Sequence, residues 1–308
     1  MSRWLLAGAS GFLGTALRVR LATEAHEVVR LVRREPVTGT EFRWDPDEGR
    51  LDPAALDGVD VVANLAGAPV FTRLWTASRR RLLLGSRVAT TRTLARAVAA
   101  RAAAGTSPVL LQASGISWYG GVSGPEPGTE DSPPADDFLA QVAVQWEAAA
   151  RPALEAGVRT VFLRTSPVLD RSGGAFLPMK LAWSAGLGTT LGSGRQRMPM
   201  ISLEDYLGVV RWAARTPTAA GPYNLTIPQP ATNAEFTDAL AAALHRPRLL
   251  KAPAFLLRRA LGELSGQLLG DTYVVPARLT GDGYVFRAPD VTSTVASALH
   301  GAVLDSRS

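Results

Sequence analysis

The stretch that decides the fold runs from Arg3 to Gly14 and reads RWLLAGASGFLG. An apolar run meets glycines at positions 8, 11 and 14, and a helix-compatible segment, residues 15–22, follows directly. This pattern predicts a buried strand, a tight turn and a helix, whose glycines permit the turn, close approach to a pyrophosphate and close helix packing. The N–H groups at the helix start would then face phosphates. The residues predicted to line this dinucleotide site are Gly8, Ser10, Gly11, Phe12, Leu13 and Gly14.

Further apolar segments with strand character recur along the chain, and helical segments separate them. After the first strand, strands are predicted over residues 27–33, 59–67, 109–114 and 160–164. Helices are predicted over residues 78–104, 140–156, 233–244 and 253–264. Strands that alternate with helices indicate a parallel sheet with crossover helices. The predicted fold class is α/β: a Rossmann-type, doubly wound parallel sheet with helices on both faces and a smaller C-terminal substrate lobe.

The composition changes after Thr165. Residues 170–202 are rich in glycine and proline and show little periodicity, which favours loops and short elements that form a lid or substrate lobe. We therefore predict a Rossmann domain over residues 1–168 and a smaller substrate or lid lobe over residues 169–308. The smaller lobe is expected to interleave with the sheet around residues 201–226.

The overall composition is that of a globular protein, with 46% hydrophobic and 19% charged residues. The chain has no cysteine, which excludes disulfides, thiolate metal sites and cysteine nucleophiles. Its three histidines, His26, His245 and His300, lack ligand spacing, so no metal site is expected.

The net charge of +6 raises the question of nucleic-acid binding. The basic residues are nearly all arginines, and they are dispersed along the chain instead of forming a stripe with aromatics, so we expect no nucleic-acid partner. No apolar run reaches the roughly 18 residues that span a bilayer, and glycines interrupt the apolar N-terminus where a signal peptide would continue. We therefore expect a cytoplasmic protein without a membrane partner.

The choice of dinucleotide should depend on the end of the second strand. An acidic residue there binds the ribose hydroxyls of NAD, whereas a basic residue accepts the 2′-phosphate of NADP. Here the strand ends in Val32, Arg33 and Arg34, and Glu35 lies past it. Arg33 can fork onto a phosphate, and Ser10 can donate a further hydrogen bond. These residues predict NADP(H); the alternative is that both arginines are solvated loop charges.

Several short motifs carry a resemblance to a known superfamily. The glycine turn, NLAG at residues 64–67, and Ser114 followed by WYG at residues 118–120 resemble extended, epimerase-like short-chain dehydrogenase/reductases. Downstream motifs are similar to the atypical, NAD-dependent epimerase/dehydratase-like "epimerase family" proteins and to the small C-terminal domain of unknown function that they carry. These motifs are NLAGAP (64–69), WT (75–76), SR (86–87), WE (146–147), LRT (163–165), GG (173–174), GSGRQ (192–196), ISxxD (201–205), NAEF (233–236), HRP (245–247), GE (262–263), VP (275–276) and GxxYxF (281–286).

The resemblance implies that further residues line the NADP site beside the glycine turn and Arg33. They are Leu65, Ala66, Gly67, Arg87 and Val168. Taken without the resemblance, Arg87 would be interpreted as a helix-surface arginine.

The catalytic pair of the superfamily is absent from this chain. It consists of a tyrosine four residues before a lysine, whose ammonium lowers the phenol pKa, with a serine on the neighbouring strand end. The residues four places after the five tyrosines are Ser123, Val210, Ile227, Ala277 and Ala288. Ser114 alone stands at its expected position.

Two classes of function remain compatible with these observations. In the first, the protein is an NADP(H)-dependent oxidoreductase for a small carbonyl, enone or imine, in which Ser114 orients the substrate and Tyr119, Ser117 or Lys180 supplies the proton. In the second, the protein binds NADP without turnover, as a regulatory or scaffold protein. A non-redox, epimerase- or dehydratase-like reaction also remains open, as do the monomeric and homodimeric states.

Overall fold

A computed structural model describes residues 1–70, 75–121, 124–174, 176–184, 188–246, 250–262 and 264–301. The strands are β1 (Arg3–Ala7), β2 (Glu27–Val32), β3 (Glu41–Asp45), β4 (Arg50–Leu51), β5 (Val61–Asn64), β6 (Val109–Gly115), β7 (Thr160–Thr165), β8 (Val168–Leu169), β9 (Thr189–Leu191), β10 (Arg197–Met198), β11 (Ile201–Ser202), β12 (Gly221–Leu225), β13 (Ala231–Thr232) and β14 (Leu250–Ala252). The helices are α1 (Phe12–Thr23), α2 (Ala77–Ala103), α3 (Phe138–Ala148), α4 (Arg151–Glu155), α5 (Phe176–Ser184), α6 (Leu203–Arg215), α7 (Asn233–Ala243), α8 (Ala254–Leu261), α9 (Leu264–Leu269), α10 (Ala277–Gly281) and α11 (Val291–His300).

Eight strands form the main sheet in the order β12-β7-β6-β5-β1-β2-β3-β4. All neighbours are parallel except β3 and β4. The chain runs outward from β1 through β2 to β3, and then outward on the other side from β5 to β7. The order therefore reverses between β1 and β5, and ligands of such sheets bind outside the carboxyl ends of the strands at this switch point.

Each face of the sheet carries its own apolar core. Trp4 and Leu6 of β1 pack with α1 and α6 on one face, whereas Leu5 and Ala7 pack with α2 and α4 on the other. Successive side chains of a strand point to opposite faces, so a buried parallel strand must be apolar throughout. The predicted doubly wound α/β fold with helices on both faces is confirmed.

One predicted helix differs in the structure. The segment 140–156 was expected to be continuous, but α3 ends at Ala148 and α4 begins at Arg151. Pro152 lies in the first turn of α4. Proline has no N–H to continue a helix and is favoured at a helix start, so the proline restarts the helix instead of extending it.

A third apolar core forms around Phe176, Trp183, Phe236 and Leu240, all from the part of the chain after β7. In that same part, β12 joins the main sheet beside β7, and α6 packs against α1. Within the ranges that the structure describes, no helix combines the length and the apolar character needed to cross a membrane.

A buried carboxylate joins the last part of the chain to α6. Asp205 is fully buried, and its two oxygens accept the backbone N–H groups of Arg287 and Ala288 at 2.8 and 2.9 Å. The hydroxyl of Ser202, which caps α6, donates to the same carboxylate at 2.9 Å. A buried charge is tolerated only when it is hydrogen-bonded, so this junction fixes the C-terminal segment against the sheet layer.

Candidate functional site

The turn after β1 requires glycine at two positions. Gly8 has a φ of +80°, and a Cβ on it would lie 2.7 Å from the carbonyl carbon of Leu65. A Cβ on Gly14 would lie 2.1 Å from the carbonyl oxygen of Gly8. The N–H of Gly11 donates to that same oxygen at 3.0 Å, which closes the turn. Side chains would therefore push α1 away from the sheet at the switch point.

The start of α1 has the features of an anion site. Gly11 is the N-cap, no side chain caps the helix, and its first turn has no acidic residue. Ser10 and Gly11 are exposed. Uncapped N–H groups at the positive end of a helix dipole bind phosphates. The turn therefore fits the pyrophosphate of a dinucleotide, and Ser10 is placed to add a hydroxyl.

Phe12 and Val168 form an apolar wall beside this turn. A Cβ on Gly173 would lie 2.6 Å from Cδ2 of Phe12, and one on Gly174 would lie 3.2 Å from the carbonyl oxygen of Val168. The two glycines thus pack closely against the Phe12 ring. Val168 is buried in β8 and Leu13 is half-buried in α1, so the predicted residues lie at one end of the sheet.

The side chain of Arg33 is available at the end of β2. It is 58% exposed, and its nearest carboxylate is that of Asp47, at 3.9 Å. Val32 is the last residue of the strand, so Arg33 occupies the position of an acid in NAD-binding sheets. An exposed, loosely paired guanidinium at this position fits a 2′-phosphate.

Arg34, by contrast, is bound to a carboxylate. Its Nη1 and Nη2 atoms donate to the two oxygens of Glu41 at 2.8 and 2.7 Å. Arg30 adds a contact with Glu41 at 3.0 Å. The hydrogen bonds from Arg34, with that from the Val37 N–H, lower the pKa of Glu41 to about 2. Arg34 therefore braces the loop beside Arg33, and its place among the cofactor residues stays a prediction.

Arg87 is a buried cation without a carboxylate partner among the described residues. It is 8% exposed and stacks on Trp146, with 4.8 Å between its Cζ and the ring centroid. Its Nη1 donates to the carbonyls of Ala68 and Leu83 at 3.1 and 3.0 Å. Burial, and then the neighbouring Arg79, lowers the pKa of Arg87 to about 10. A cation that is costly to bury favours a site for an anion, in line with the role that the resemblance implies.

Arg87 also fixes the segment after β5. The Leu65 N–H donates to the Ala7 carbonyl at 3.0 Å, and a Cβ on Gly67 would lie 3.4 Å from Cγ of Arg87. The Ala66 N–H donates to the side chain of Asn64 at 3.2 Å. The backbone of residues 65–67 is thus held between the glycine turn and Arg87.

Ser114 lies on β6 within a buried ion-pair network. Its Oγ donates to Oε1 of Glu147 on α3 at 2.6 Å. Arg164 of β7 donates from Nε and Nη2 to the two Glu147 oxygens at 2.9 and 3.0 Å. All three residues are at most 9% exposed. Burial opposes the charge of Arg164, but the pair with Glu147 outweighs it and raises the Arg164 pKa.

Tyr119 lies on the other side of Arg164. Its hydroxyl accepts a hydrogen bond from Nη1 of Arg164 at 2.9 Å and donates to Oδ1 of Asn224 at 2.8 Å. Burial raises the pKa of Tyr119 to about 12, although Arg164 acts in the opposite direction. The phenol is therefore a weak acid, and its hydrogen is already engaged.

A second buried carboxylate, that of Glu130, contacts the strand that carries Asn224. Glu130 accepts the Asn224 N–H at 2.9 Å and the Arg278 N–H at 3.2 Å, and burial raises its pKa. The Asn224 amide also donates to the Val275 carbonyl at 3.0 Å. Strand β12 and the C-terminal lobe thereby fix the environment of Tyr119.

The other two proton-donor candidates have looser surroundings. The Oγ of Ser117 reaches the Leu139 carbonyl at 3.5 Å, at the limit of a hydrogen bond. Lys180 lies on α5, is half-buried, and pairs with no carboxylate among the described residues. Both remain predictions, since neither enters the network around Ser114.

Glu147 and Arg164 were not predicted to have a role in the site. Both stand in apolar segments, FLAQVAVQWEA and TVFLRT. A charged residue in a segment that is otherwise buried must be paired, and this is the signal that could have identified them. Glu130 carries no comparable signal, because residues 120–136 have the composition of a loop.

Comparisons with known proteins extend over nearly the whole chain. The model of the NAD dependent epimerase/dehydratase family matches residues 4–226, and that of DUF1731, a domain of unknown function, matches residues 252–298. The epimerase family protein Mb2239 of Mycobacterium bovis is 41% identical over 283 residues, which cover 91% of this chain and 92% of that protein.

Two solved structures are similar at the level of the fold and the sequence. Human epimerase family protein SDR39U1 (isoform 2), crystallised with NADPH, has a TM-score of 0.85 and 31% identity, covering 96% of this chain and 98% of that one. The nucleoside-diphosphate sugar epimerase of Corynebacterium glutamicum has a TM-score of 0.79 and 31% identity. That match covers 99% of this chain and 59% of the Corynebacterium chain.

Proposed function

The chain belongs to the NAD-dependent epimerase/dehydratase family, as its motifs predicted, and on that basis we propose that it is an NADP(H)-dependent oxidoreductase. Its substrate would be a small carbonyl, enone or imine, or the corresponding alcohol or amine. The hydrogen bond between Ser114 and Glu147 at the carboxyl end of β6 carries this proposal. A serine that is hydrogen-bonded to a carboxylate can pass a proton on, and sheets of this kind bind their ligands at the carboxyl ends of the strands.

The residues of the switch point support NADP(H) as the cofactor. The glycine turn and the uncapped start of α1 suit the pyrophosphate. Arg33 suits the 2′-phosphate, and Arg87 supplies a buried positive charge. The similar human protein was crystallised with NADPH. Bound NADP(H) supplies or accepts a hydride.

The polarity of the hydrogen bond defines what Ser114 can do. Because its hydrogen points to Glu147, its oxygen lone pairs remain for a substrate hydroxyl or amine. Ser114 can accept the substrate proton while its own proton passes to Glu147. In the opposite direction a protonated Glu147 returns the proton through Ser114 to the substrate oxygen or nitrogen.

Arg164 holds the Glu147 carboxylate in place with two hydrogen bonds, from Nε and Nη2 at 2.9 and 3.0 Å. The carboxylate therefore stays within hydrogen-bond distance of Ser114. The buried Tyr119, whose pKa is raised to about 12, is better suited to hold Arg164 in place than to donate a proton.

The test is turnover in both directions. Purified protein is mixed with NADPH and a panel of ketones, enones and imines, and with NADP⁺ and the matching alcohols and amines. We expect a change in the nicotinamide absorbance with at least one class, and a loss of about 100-fold or more in Ser114→Ala, the usual scale of a lost proton-transfer group. An activity that survives in Ser114→Ala and disappears in Ser117→Ala would reject the proposed path.

A second candidate is an NADP(H)-binding protein without turnover. The observation that favours it is the engagement of Tyr119, whose hydroxyl is bound to both Arg164 and Asn224. Tight NADPH binding with no consumption across the whole panel would support this candidate over the first.

A further inference from the structure

A cleft of about 770 Å³ lies next to the loop that follows Tyr119. This volume is within the range of small-molecule sites, about 300–1,000 Å³. The lining includes Gly121 and residues of α2, α3, α8 and α9. Its larger side chains are Trp75, Arg80, Asp137, Phe138, Arg258 and Gln267.

The lining of the cleft includes residues from two segments that continue into the Ser114 network. A Cβ on Gly270 would lie 2.2 Å from the carbonyl oxygen of Gly121, so the end of α9 packs directly on the loop after Tyr119. Phe138 begins α3, the helix that carries Glu147 to Ser114. A ligand in the cleft would therefore contact the loop after Tyr119 and the start of the helix that carries Glu147.

One wall of the cleft is aromatic. The rings of Trp75 and Phe138 meet edge to face, with 5.6 Å between their centroids. The guanidinium of Arg80 lies over the Phe138 ring, with 4.7 Å between its Cζ and the ring centroid. Such a wall binds an apolar or aromatic body and has a positive charge at its edge.

The charge balance of the lining favours an anion. Its ionisable side chains are Arg80, Arg258 and Asp137. Asp137 caps α3 by accepting the N–H groups of Leu139 and Ala140 at 2.9 and 3.0 Å, which offsets its charge locally. Arg258 is exposed and makes no ion pair within the part of the chain that the structure describes.

We propose that this cleft binds the substrate of the reaction and that the substrate is a small organic anion. Its carboxylate or phosphate group pairs with Arg258, and its apolar or aromatic body lies on Trp75 and Phe138. That the bound anion is a substrate rests on the proposed oxidoreductase function, whereas the binding of an anion does not require turnover. Arg258 would then select charged over neutral carbonyl compounds.

The test uses 2-naphthoate, 2-naphthyl phosphate and the neutral 2-naphthamide as probes. Their binding is measured by calorimetry with saturating NADP⁺ present. We expect one of the anions to bind about 10-fold or more tightly than the amide, as one charge-assisted hydrogen bond provides. The stronger of the two anions identifies the group that Arg258 prefers.

Variants of two neighbouring arginines separate a specific contact from net charge. Arg258→Ala should weaken anion binding about 10-fold and leave the amide unchanged, and Arg258→Lys should restore part of the loss. Arg259→Ala is the matched control, since this exposed arginine on the same helix does not line the cleft. Equal binding of amide and anions, no binding of any probe, or an equal loss in Arg259→Ala would overturn the proposal. Selective anion binding without NADPH consumption by any compound would uphold the anion site and reject the oxidoreductase function.

Discussion

The hydroxyl of Ser114 donates a 2.6 Å hydrogen bond to the carboxylate of Glu147, although 33 residues separate them in the chain. The same carboxylate is held from the other side by Arg164. The hydrogen of Ser114 therefore points to Glu147. From the sequence we expected Ser114 to orient the substrate, and that role stays a prediction.

Loss of the Glu147 charge should strongly destabilise the protein. In Glu147→Gln the buried guanidinium of Arg164 keeps its charge and loses its counter-ion, which costs about 3–5 kcal/mol in such pairs. We expect a decrease of that size in the free energy of unfolding, measured by urea denaturation.

The matched control is Glu155→Gln. Glu155 forms an exposed pair with Arg151 on α4 at 2.7 Å. Exposed pairs contribute little, so this change should remain within about 0.5 kcal/mol of the wild type. Similar losses in the two variants would show that the Glu147–Arg164 pair has no special role in stability.

Replacement of Tyr119 should affect stability more than chemistry. Tyr119→Phe removes the phenol that accepts from Nη1 of Arg164 and donates to Oδ1 of Asn224, at a cost of about 1–3 kcal/mol. Turnover, where it is detected, should stay within about 10-fold of the wild type, since general acids contribute about 10²–10⁴-fold. A loss of 100-fold or more with an intact fold would identify Tyr119 as the proton donor.

The raised pKa of Tyr119 should make the stability of the protein depend on pH in the alkaline range. The phenol ionises near pH 10 in the unfolded chain and near 12 in the folded one, so its contribution to stability is lost as the pH rises from about 10 to 12. Tyr119→Phe should lose less stability than the wild type between these pH values, as followed by urea denaturation. An identical slope would contradict the raised pKa. Three other tyrosines with raised pKa values add to the wild-type slope: the buried Tyr206 and Tyr223 and the half-buried Tyr284.

Glu41 should make the protein sensitive to acid. Its pKa is lowered from 4.5 to about 2, so its stabilising contribution is present above pH 4.5 and is lost as the pH falls towards 2. Glu41→Gln should lower the melting temperature at pH 7. On transfer from pH 7 to pH 3, the melting temperature of this variant should fall by less than that of the wild type. Glu35→Gln, which removes an exposed partner of Arg43, should melt near the wild-type temperature at pH 7. An unchanged acid response in Glu41→Gln would contradict the assignment.

The carboxylate of Asp205 should hold the C-terminal segment in place. In Asp205→Asn one acceptor oxygen becomes an amide that faces a backbone N–H, and a buried donor is left unpaired. We expect a loss of about 2–3 kcal/mol and faster hydrogen exchange in residues 284–295. Asp136→Asn alters an exposed carboxylate and is the control. Exchange that stays as slow as in the wild type would contradict the role of Asp205.

The sequence predicted the fold well because its strongest signals are local. The run RWLLA, the glycines at positions 8, 11 and 14, and the recurring apolar strands each determine structure over a few residues. The break between α3 and α4 was missed, although Pro152 marks it, because the apolar pattern continues across the break.

The network around Ser114 could be predicted only in part. Ser114 was identified from the family resemblance, as the serine at the expected strand end, whereas the contact of Glu147 with Arg164 follows only when α3 and β7 are placed together in space. The spacing of 33 and 17 residues between Glu147 and its two partners follows no short motif. Similarly, Arg33 and Arg34 are adjacent in sequence, and the structure distinguishes them because Glu41 binds Arg34 bidentately.

The most direct test of the account is cofactor preference in the wild type and in Arg33→Asp. Dissociation constants for NADPH and NADH are measured by nicotinamide fluorescence, with Arg195→Asp as a control that makes the same charge change at an exposed site in the other lobe. We expect the wild type to bind NADPH about 10–100-fold more tightly than NADH, as one or two charge-assisted contacts with a phosphate provide. Arg33→Asp should abolish that preference and spare NADH, while Arg195→Asp should retain it. Equal binding of the two cofactors by the wild type, or an unchanged preference in Arg33→Asp, would contradict the assignment of this site to NADP(H).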